Sequence, residues 1–275
     1  MPVNAAHPHV AELYIYPLKG AGGTRLDAME VDAFGPRHDR RWLAVDRDGR
    51  FVSQRELHRL ALVRPRLDGA ALVLHAAGSA PLAVQPPAHG APRRVRIWAD
   101  TADARDAGDE AAAWLSDVLG EPLRLVWMPD DAVRPVHPAY GSAGDRVSFA
   151  DAFPFLITSR AALDLLNRRL GADLRMNRFR PNIVVDGVPP HAEDTWRTVR
   201  IGAIPFDVVK PCARCVVTTV DQESAITGLE PLRELARYRK HGSHVLFGQN
   251  AIHRARGWIR AGDVIDVDAR RKPAG

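Results

Sequence analysis

Residues 176–187 of the chain, MNRFRPNIVVDG, join two arginines and an asparagine to a short β-branched run that ends at a glycine. A run of this kind, bounded by Pro and Gly, predicts a strand. Residues 161–170, AALDLLNRRL, come before it and predict a helix that is capped by Thr158 or Ser159 and ended by Gly171. A helix set among strands predicts an α+β fold, predominantly β.

More strands are predicted after this region. The predicted strands are 197–209 (RTVRIGAIPFDVV), 215–221 (CVVTTVD), 244–253 (HVLFGQNAIH) and 259–267 (IRAGDVIDV), with a helix over 230–240 (EPLRELARYRK).

The preceding residues predict a second strand-rich unit. Asp48-Gly49 and Asp68-Gly69 each lie between β-rich stretches, a strong short-range signal for a hairpin. The predicted strands are 11–16, both sides of 41–54, 60–67, 71–76, 81–85 and 94–100, followed by a helix over 109–119 and a strand over 123–128. Their regular spacing predicts a barrel-like or meandering sheet. A loop rich in Pro, Gly and Asp follows, and we expect domains at residues 8–127 and 128–270.

Composition indicates an ordinary globular protein. Of the 275 residues, 46% are hydrophobic and 26% are charged, which argues against long disorder. Neither an apolar run long enough to span a membrane nor a secretory leader is recognisable in the sequence, so we expect a soluble, cytoplasmic protein with no membrane partner. The net charge of +5 suggests an anionic partner. Because no basic run or aromatic-interleaved basic stripe accompanies it, an ordinary solvated surface is favoured over a nucleic-acid surface, and we expect no nucleic-acid partner. An acidic protein partner stays open.

The chain has two cysteines, Cys212 and Cys215, in the segment KPCARC. A thioredoxin-like pair would precede a helix, whereas β-branched residues follow here. Zinc would need two further ligands, and the spacing to His241 and His244 fits no common pattern. Two alternatives stay open on spacing alone: one cysteine is a thiolate ligand of a redox metal, or both are inert and partly buried.

Charged residues near predicted strand ends form a second group of candidates. Arg178 and Arg180, separated by one residue on an extended chain, would point the same way and could clasp one phosphate or pterin-like ligand. Lys19 and Arg40 fit the same logic. Asp151 lies in an apolar segment before a helix, where it is either a helix cap or, near a redox centre, a proton relay with a raised pKa. No hydrolase or nucleotide-binding motif is present in the sequence.

Six segments together resemble the MOSC superfamily, specifically proteins in which an N-terminal MOSC-associated β-barrel domain precedes a MOSC domain. The segments are YIYPLKG, FGPRHDRRWLAVD, FPFLITSRAALDLLN, NRFRPNIVVDG, KPCARCVVTTVD and LFGQN, in the family's order. The resemblance implies an N-terminal β-barrel-like domain followed by a β-barrel MOSC domain with peripheral helices. It also implies a molybdenum cofactor, molybdopterin with Mo, whose metal is bound by one cysteine thiolate.

The resemblance assigns roles to individual residues. Cys215 matches the molybdenum ligand and is expected to be catalytic, whereas Cys212 matches a position without a metal role. Asp151 matches an acidic residue beside the family's active site, which favours the proton-relay interpretation. The positions expected to bind the cofactor are Lys19, Arg40, Arg180 and Asn182, with Arg214 and Ser159 as weaker candidates. Gly20 and Ala150 stand where relatives often have serine.

The resemblance implies an oxidoreductase that reduces N-hydroxylated compounds, namely hydroxylamines, amidoximes or N-hydroxylated bases, to amines. With two cysteines the chain cannot bind its own iron–sulfur cluster, so we expect a separate flavin or iron–sulfur protein to supply electrons. The alternative is a sulfur-carrier or cofactor-handling protein that uses Cys215, because MOSC domains also occur in molybdenum cofactor sulfurases. Such sulfurases also bind pyridoxal phosphate, but no pyridoxal-phosphate domain is recognisable in this sequence.

Overall fold

The computed structural model describes residues 7–270. Strands dominate this part of the chain, with three α-helices among them. The helices are α1 (Asp109–Leu119), α2 (Arg160–Leu170) and α3 (Leu232–Tyr238). The strands of the first half are β1 (His9–Ile15), β2 (Thr24–Leu26), β3 (Ala28–Asp32), β4 (Gly35–Pro36), β5 (Trp42–Val45), β6 (Arg64–Asp68), β7 (Ala71–His75), β8 (Leu82–Val84), β9 (Pro92–Ile97), β10 (Asp100–Asp106) and β11 (Arg124–Trp127). Those of the second half are β12 (Phe155–Ser159), β13 (Ile183–Asp186), β14 (Trp196–Ile201), β15 (Ile204–Ala213), β16 (Lys240–His241), β17 (His244–His253), β18 (Gly257–Arg260) and β19 (Ile265–Arg270).

The largest sheet combines strands from both halves of the chain. Its order is β19-β14-β15-β17-β12-β13-β1-β2, with β16 paired to β17. Strand β1 runs antiparallel to β13, with Leu13 opposite Ile183, so the residues that follow β1 lie beside the residues that precede β13. Buried apolar side chains of these strands, among them Leu13, Phe155 and Trp196, form the main core.

Three smaller sheets complete the fold. Their orders are β5-β11-β10-β9, β18-β3-β4 and β6-β7-β8. Helix α1 packs its buried face, including Ala111, Leu115 and Leu119, into a second core with residues of β7 and β11. The predominantly β, α+β fold expected from the sequence is confirmed.

The helix predictions are accurate where a glycine ends the helix. Both α1 and α2 end at a glycine in the left-handed conformation, Gly120 with φ 77° and Gly171 with φ 61°. Ser159 occupies the N-cap position of α2, but its side chain makes no capping hydrogen bond. The position of the cap was therefore predictable, whereas its chemistry was not.

The sheet predicted over 215–221 is wrong, because Val216–Thr219 forms a 3-10 helix. The hydroxyl of Thr218 donates to the carbonyl of Cys215 at 2.9 Å, and that of Thr219 donates to the carbonyl of Val216 at 2.8 Å. These local bonds compete with strand pairing despite the β-branched composition. Six strands were not predicted, namely β2, β3, β4, β10, β12 and β16. The start of the predicted strand 60–67 lies in a 3-10 helix, His58–Leu62.

The division at residue 128 stays a prediction. Strands from the two sides of this division share sheets, since β1 pairs with β13 and β3 pairs with β18.

Candidate active site

One cavity gathers side chains that are far apart in the sequence. It holds about 180 Å³, and its walls include the loop after β1, the segments before β12 and β13, and the end of β15. Seven of the eight residues that the sequence assigned to a site line this cavity: Lys19, Arg40, Asp151, Arg180, Asn182, Arg214 and Cys215. Cys212 lines it as well. The exception is Ser159.

Lys19 and Asp151 form an ion pair in this cavity. Lys19 follows Pro17 at the end of β1 and is 8% exposed, while its backbone N–H donates to the carbonyl of Trp42 at 2.9 Å. Its Nζ lies 2.5 Å from Oδ1 of Asp151, whose side chain is 72% exposed. Burial lowers the pKa of Lys19, and the Asp151 carboxylate counteracts this. The pair thus links a buried ammonium group to solvent.

The pKa expected for Asp151 was wrong in direction. The cavity walls desolvate its carboxylate and tend to raise its pKa, but the Lys19 ammonium and the Trp98 indole hold that pKa well below its usual range. Trp98 Nε1 donates to Asp151 Oδ1 at 3.0 Å. Asp151 is therefore an ionised acceptor near neutral pH. It is also no helix cap, since α2 begins only at Arg160.

The ring of Tyr16 supports two guanidinium groups. The Cζ atoms of Arg40 and Arg180 each lie 4.3 Å from its ring centroid. Tyr16 is fully buried and its hydroxyl donates to the carbonyl of Pro181 at 3.1 Å. Both arginines have left-handed backbones, with φ 47° and 56°, a conformation that costs free energy in a residue other than glycine. Cation–π contacts and hydrogen bonds offset that cost.

Arg40 is held by two further side chains. Asp39 is buried and accepts from Arg40 Nη1, and it also accepts from the Tyr16 N–H at 2.8 Å. Asn182 Oδ1 accepts from Arg40 Nη1 at 3.3 Å and from the Leu156 N–H at 3.2 Å. Asn182 Nδ2 donates to the carbonyl of Tyr14 at 3.2 Å. Because both amide atoms have protein partners, Asn182 orients Arg40 as well as lining the cavity.

Apart from the exposed Arg55, two arginines in the cavity wall lack a carboxylate partner within residues 7–270. Arg180 Nη1 donates to the carbonyl of Ala21 at 2.6 Å, and burial together with repulsion from Arg40 lowers the pKa of Arg180 to about 10. Arg214 donates to the carbonyl of Phe179 at 2.7 Å, while its Nε is buried without a partner. Counted with Lys19, Arg40 and their acids, this cluster has two positive charges in excess. Such a cavity suits a dianion such as a phosphate monoester.

Arg178 is directed elsewhere. It ends a 3-10 helix, Met176–Arg178, and pairs with Asp221 at 2.7 Å, so the expectation that it clasps one ligand with Arg180 is wrong. That expectation assumed an extended backbone, whereas Met176–Arg178 is helical.

The two cysteines differ in their contacts. Cys212 lies in β15, and its sulfur accepts from Arg214 Nη1 at 2.9 Å. Cys215 lies just after β15 at the start of the 3-10 helix, and in the described residues its sulfur has no hydrogen-bond partner. Both thiols are half-buried and free. Cys215 therefore presents the sulfur that is available to a ligand.

No metal cluster arises from protein ligands alone. Across residues 7–270, the His, Cys, Asp and Glu side chains form no group of three that could hold an ion. His241 and His244 lie in the exposed β16–β17 hairpin and do not line the cavity, so the zinc alternative lacks its second pair of ligands.

Ser159 lies outside the cavity and is fully buried. Its backbone N–H donates to Glu193 Oε1 at 3.1 Å, and its hydroxyl is buried without a partner. Ser159 lies at the junction of β12 and α2, where its backbone N–H contacts Glu193 and not the cavity.

The backbone at Gly20 disfavours the serine that the resemblance implies at this position. Gly20 has φ +84°, and a Cβ built on it would lie 2.5 Å from Leu60 Cδ2. A serine would therefore be strained and would displace Leu60.

Sequence reasoning missed Tyr16, Asp39 and Trp98. Tyr16 lies within the YPLK segment, and Asp39 lies within HDRRW, so both stand next to recognised residues. Trp98 lies at a hairpin tip, and only the fold brings it to Asp151.

Two family models match the chain. The model of the MOSC N-terminal beta barrel domain matches residues 7–122, and that of the MOSC domain matches residues 144–266. Human "Mitochondrial amidoxime-reducing component 1" is 34% identical over 276 residues, which is 93% of this chain and 82% of the relative. "Mitochondrial amidoxime reducing component 2" of Bos taurus is 35% identical over 242 residues, covering 84% of this chain and 72% of the relative. A solution structure of a Bordetella bronchiseptica protein is 26% identical, covers 37% of this chain and 86% of its own, and superposes with a TM-score of 0.30.

In the described part of the chain, all helices are too short or too polar to cross a membrane.

Proposed function

The chain belongs to the family of proteins that combine a MOSC N-terminal beta barrel domain with a MOSC domain, and from this premise we propose that it reduces N-hydroxylated compounds to amines at a molybdenum cofactor bound in the cationic cavity. The names of its relatives refer to amidoxime reduction. The observation that carries the proposal is that the Cys215 thiol lines one cavity with two arginines, Arg180 and Arg214, that have no carboxylate partner within residues 7–270.

The residues of the cavity fit such a cofactor. Its phosphate needs cationic donors, and Arg180 and the buried, unpartnered Nε of Arg214 offer them. Its metal needs a soft anionic ligand, and the sulfur of Cys215 has no hydrogen bond to a described residue. Lys19 and Arg40 line the same cavity, each paired with an aspartate, Asp151 and Asp39 respectively. The donor set therefore matches a group that carries both a phosphate and a thiophilic metal.

When bound, the molybdenum cofactor supplies the two electrons that the reaction needs. An N-hydroxylated substrate R–NHOH takes up two electrons and two protons, its N–O bond breaks, and the products are R–NH2 and water. The chain itself must hold the cofactor, exclude the bulk of the solvent and deliver protons.

Lys19 holds a proton next to the proposed reaction site. Because Asp151 is ionised, the proton of the pair resides on Lys19 Nζ, 2.5 Å from Asp151 Oδ1. The exposed side of the Asp151 carboxylate reaches solvent, from which a proton can be replaced. We therefore assign proton delivery to the Lys19–Asp151 pair rather than to a neutral Asp151.

Electrons come from a separate protein in this proposal. No second redox centre is evident in the sequence, and a flavin or iron–sulfur protein is the class of donor that transfers electrons to such a site. The net charge of +5 favours an acidic partner.

Replacement of Cys215 tests the proposal. Cys215→Ala removes the soft anionic ligand, so reduction of benzamidoxime with a small artificial electron donor should be abolished. Cys212→Ala is the matched control and should retain most activity. Molybdenum and pterin contents, measured on both purified variants, separate loss of turnover from loss of the cofactor. A folded, cofactor-loaded Cys215→Ala variant that reduces benzamidoxime at nearly the wild-type rate would rule out the assignment.

The sulfur-carrier alternative makes a different prediction for the same samples. A carrier would bind pterin but would not reduce benzamidoxime, and Cys215 would be required for sulfur transfer instead. The matched domains and the names of the relatives do not refer to pyridoxal phosphate. The mitochondrial location in those names is that of the relatives, and the cytoplasmic location stays a prediction.

A further inference from the structure

Trp98 occupies the tip of the β9–β10 hairpin in a strained conformation. Its φ is 55°, in the left-handed region that bulky residues rarely adopt. The side chain is 44% exposed and lines the same cavity as Cys215 and Lys19. A large aromatic residue that is strained and yet exposed must be held by specific contacts.

Two contacts tie this hairpin to Asp151. The indole Nε1 of Trp98 donates to Asp151 Oδ1 at 3.0 Å, the oxygen that also accepts from Lys19. Arg134 is 2% exposed, and its Nη2 donates to Asp100 Oδ2 at 2.8 Å and to the backbone carbonyl of Asp151 at 2.9 Å. Because Asp100 begins β10, Arg134 fastens the hairpin beside the tip that carries Trp98.

Neighbouring side chains fix the plane of the indole ring. The buried ring of Phe51 meets it edge to face at 4.7 Å, and the guanidinium of Arg55 lies 4.4 Å from its centroid. All three residues line the cavity. The result is a preformed aromatic wall next to the Lys19–Asp151 pair.

We propose that Trp98 is a specificity-determining residue that stacks on planar, conjugated N-hydroxylated substrates, namely aromatic amidoximes and N-hydroxylated bases, and so favours them over small aliphatic hydroxylamines. This rests on the proposed reductase function. A flat conjugated group gains stacking energy on an indole that is already held in place, so little side-chain entropy is lost on binding. A small aliphatic hydroxylamine has no π face and gains nothing from this wall.

Two variants separate stacking from the hydrogen bond. Trp98→Leu removes both the aromatic face and the indole N–H, whereas Trp98→Phe removes the N–H and keeps an aromatic face. Both replace one strained side chain by another at the same φ. With a small artificial electron donor, Trp98→Leu should raise the ratio of KM for benzamidoxime to KM for N-methylhydroxylamine about tenfold, within the range of aromatic stacking. Trp98→Phe should keep most of the preference.

A binding measurement gives a second readout that needs no turnover. Benzamidine, the planar product of benzamidoxime reduction, should bind about tenfold more weakly to Trp98→Leu than to the wild type in calorimetry, and Trp98→Phe should bind it nearly as well as the wild type. Urea unfolding midpoints and molybdenum contents establish that the variants are folded and loaded.

Three outcomes would overturn the inference. Equal rises in KM for both substrates in Trp98→Leu would show a purely structural role. Equal damage by Trp98→Phe and Trp98→Leu would show that the hydrogen bond to Asp151 matters and stacking does not. Wild-type protein that binds benzamidine no more tightly than methylamine would show that no aromatic wall acts on ligands. Failure of the proposed function looks different, since loaded wild-type protein would then reduce neither substrate.

Discussion

Replacement of Glu193 by glutamine should stabilise the protein at alkaline pH and change little at acid pH. Glu193 is completely buried, and its Oε1 accepts the Ser159 N–H at 3.1 Å, while Oε2 has no hydrogen-bond partner among the described residues. Burial, with repulsion from Asp194, raises the pKa of Glu193 from its ordinary 4.5 to about 7. At 1.36 kcal/mol per pH unit, this corresponds to about 3 kcal/mol.

The sign of the effect follows from proton binding. Below about pH 4.5 the carboxyl group is protonated in the folded and the unfolded chain, so it has no pH-dependent effect there. As the pH rises towards 7, the unfolded chain releases the proton while the folded chain retains it, and the free energy of unfolding falls. Glutamine keeps the acceptor for Ser159 and has no charge to bury. The variant should therefore gain up to about 3 kcal/mol over the wild type near pH 8.

Other titratable groups near Glu193 also change the stability of the protein with pH. The quantity to measure is therefore the difference in the free energy of unfolding between wild type and Glu193→Gln. Burial lowers the pKa of His191 to about 4, which makes the wild type more stable as the pH rises and partly cancels the effect of Glu193. Asp194, which repels Glu193, is itself held by Arg239, just after α3, at 2.5 Å and by Gln249 of β17, which donates to it at 2.7 Å. These groups are common to wild type and variant.

The assay is urea unfolding of wild type and Glu193→Gln at a series of pH values and constant ionic strength, with the difference in free energy taken from the midpoints. Glu121→Gln, at an exposed position, is the control and should track the wild type throughout. Parallel stability curves for wild type and Glu193→Gln would refute the raised pKa of the buried Glu193 carboxyl group. So would a variant that is less stable than the wild type near pH 8.

Two further predictions concern the cavity and its partner. Arg180→Ala should copurify with at least about tenfold less pterin and molybdenum, measured by fluorescence and metal analysis, because a charge-assisted contact contributes roughly 1.5 to 3 kcal/mol; unchanged contents would place the phosphate elsewhere. Activity with a protein electron donor should fall steeply between about 0.1 M and 1 M salt, since the Debye length shrinks from about 10 Å to about 3 Å. Activity with a small artificial donor should fall much less, and equal salt dependence would contradict electrostatic steering by the net charge of +5.

Helices and hairpins were predictable where a local signal fixes the backbone. The glycines after α1 and α2 adopt the left-handed conformation that ends a helix, and Gly69 turns the hairpin between β6 and β7. Strand β10 was missed because its sequence, DTADARD, is polar and only Ala102, Ala104 and Asp106 are buried. Its pairing with β9 and β11 makes it a strand, and a single sequence does not show that pairing.

The sequence predicted which charged residues line the cavity, but it did not predict which of them contact each other. Asp151 was expected to carry a raised pKa because its segment is apolar, and burial does act in that direction. Its actual partners, Lys19 and Trp98, come from the first half of the chain, 132 and 53 residues away. A local sequence shows the desolvation that a residue experiences, whereas the opposing charge depends on tertiary structure.

The antiparallel pairing of β1 with β13 explains how the cationic cluster is assembled. Tyr16 and Lys19 follow β1, and Arg180 precedes β13, so pairing these two strands brings all three to one end of the sheet. The neighbouring pairs β12–β17 and β15–β17 add the end of β15, which carries Cys212 and leads to Cys215. Since Arg40 and Arg180 repel each other and both have strained backbones, this concentration of charge lowers stability by itself. A bound dianion would relieve the repulsion, which gives a physical reason why the sheet should hold these residues together.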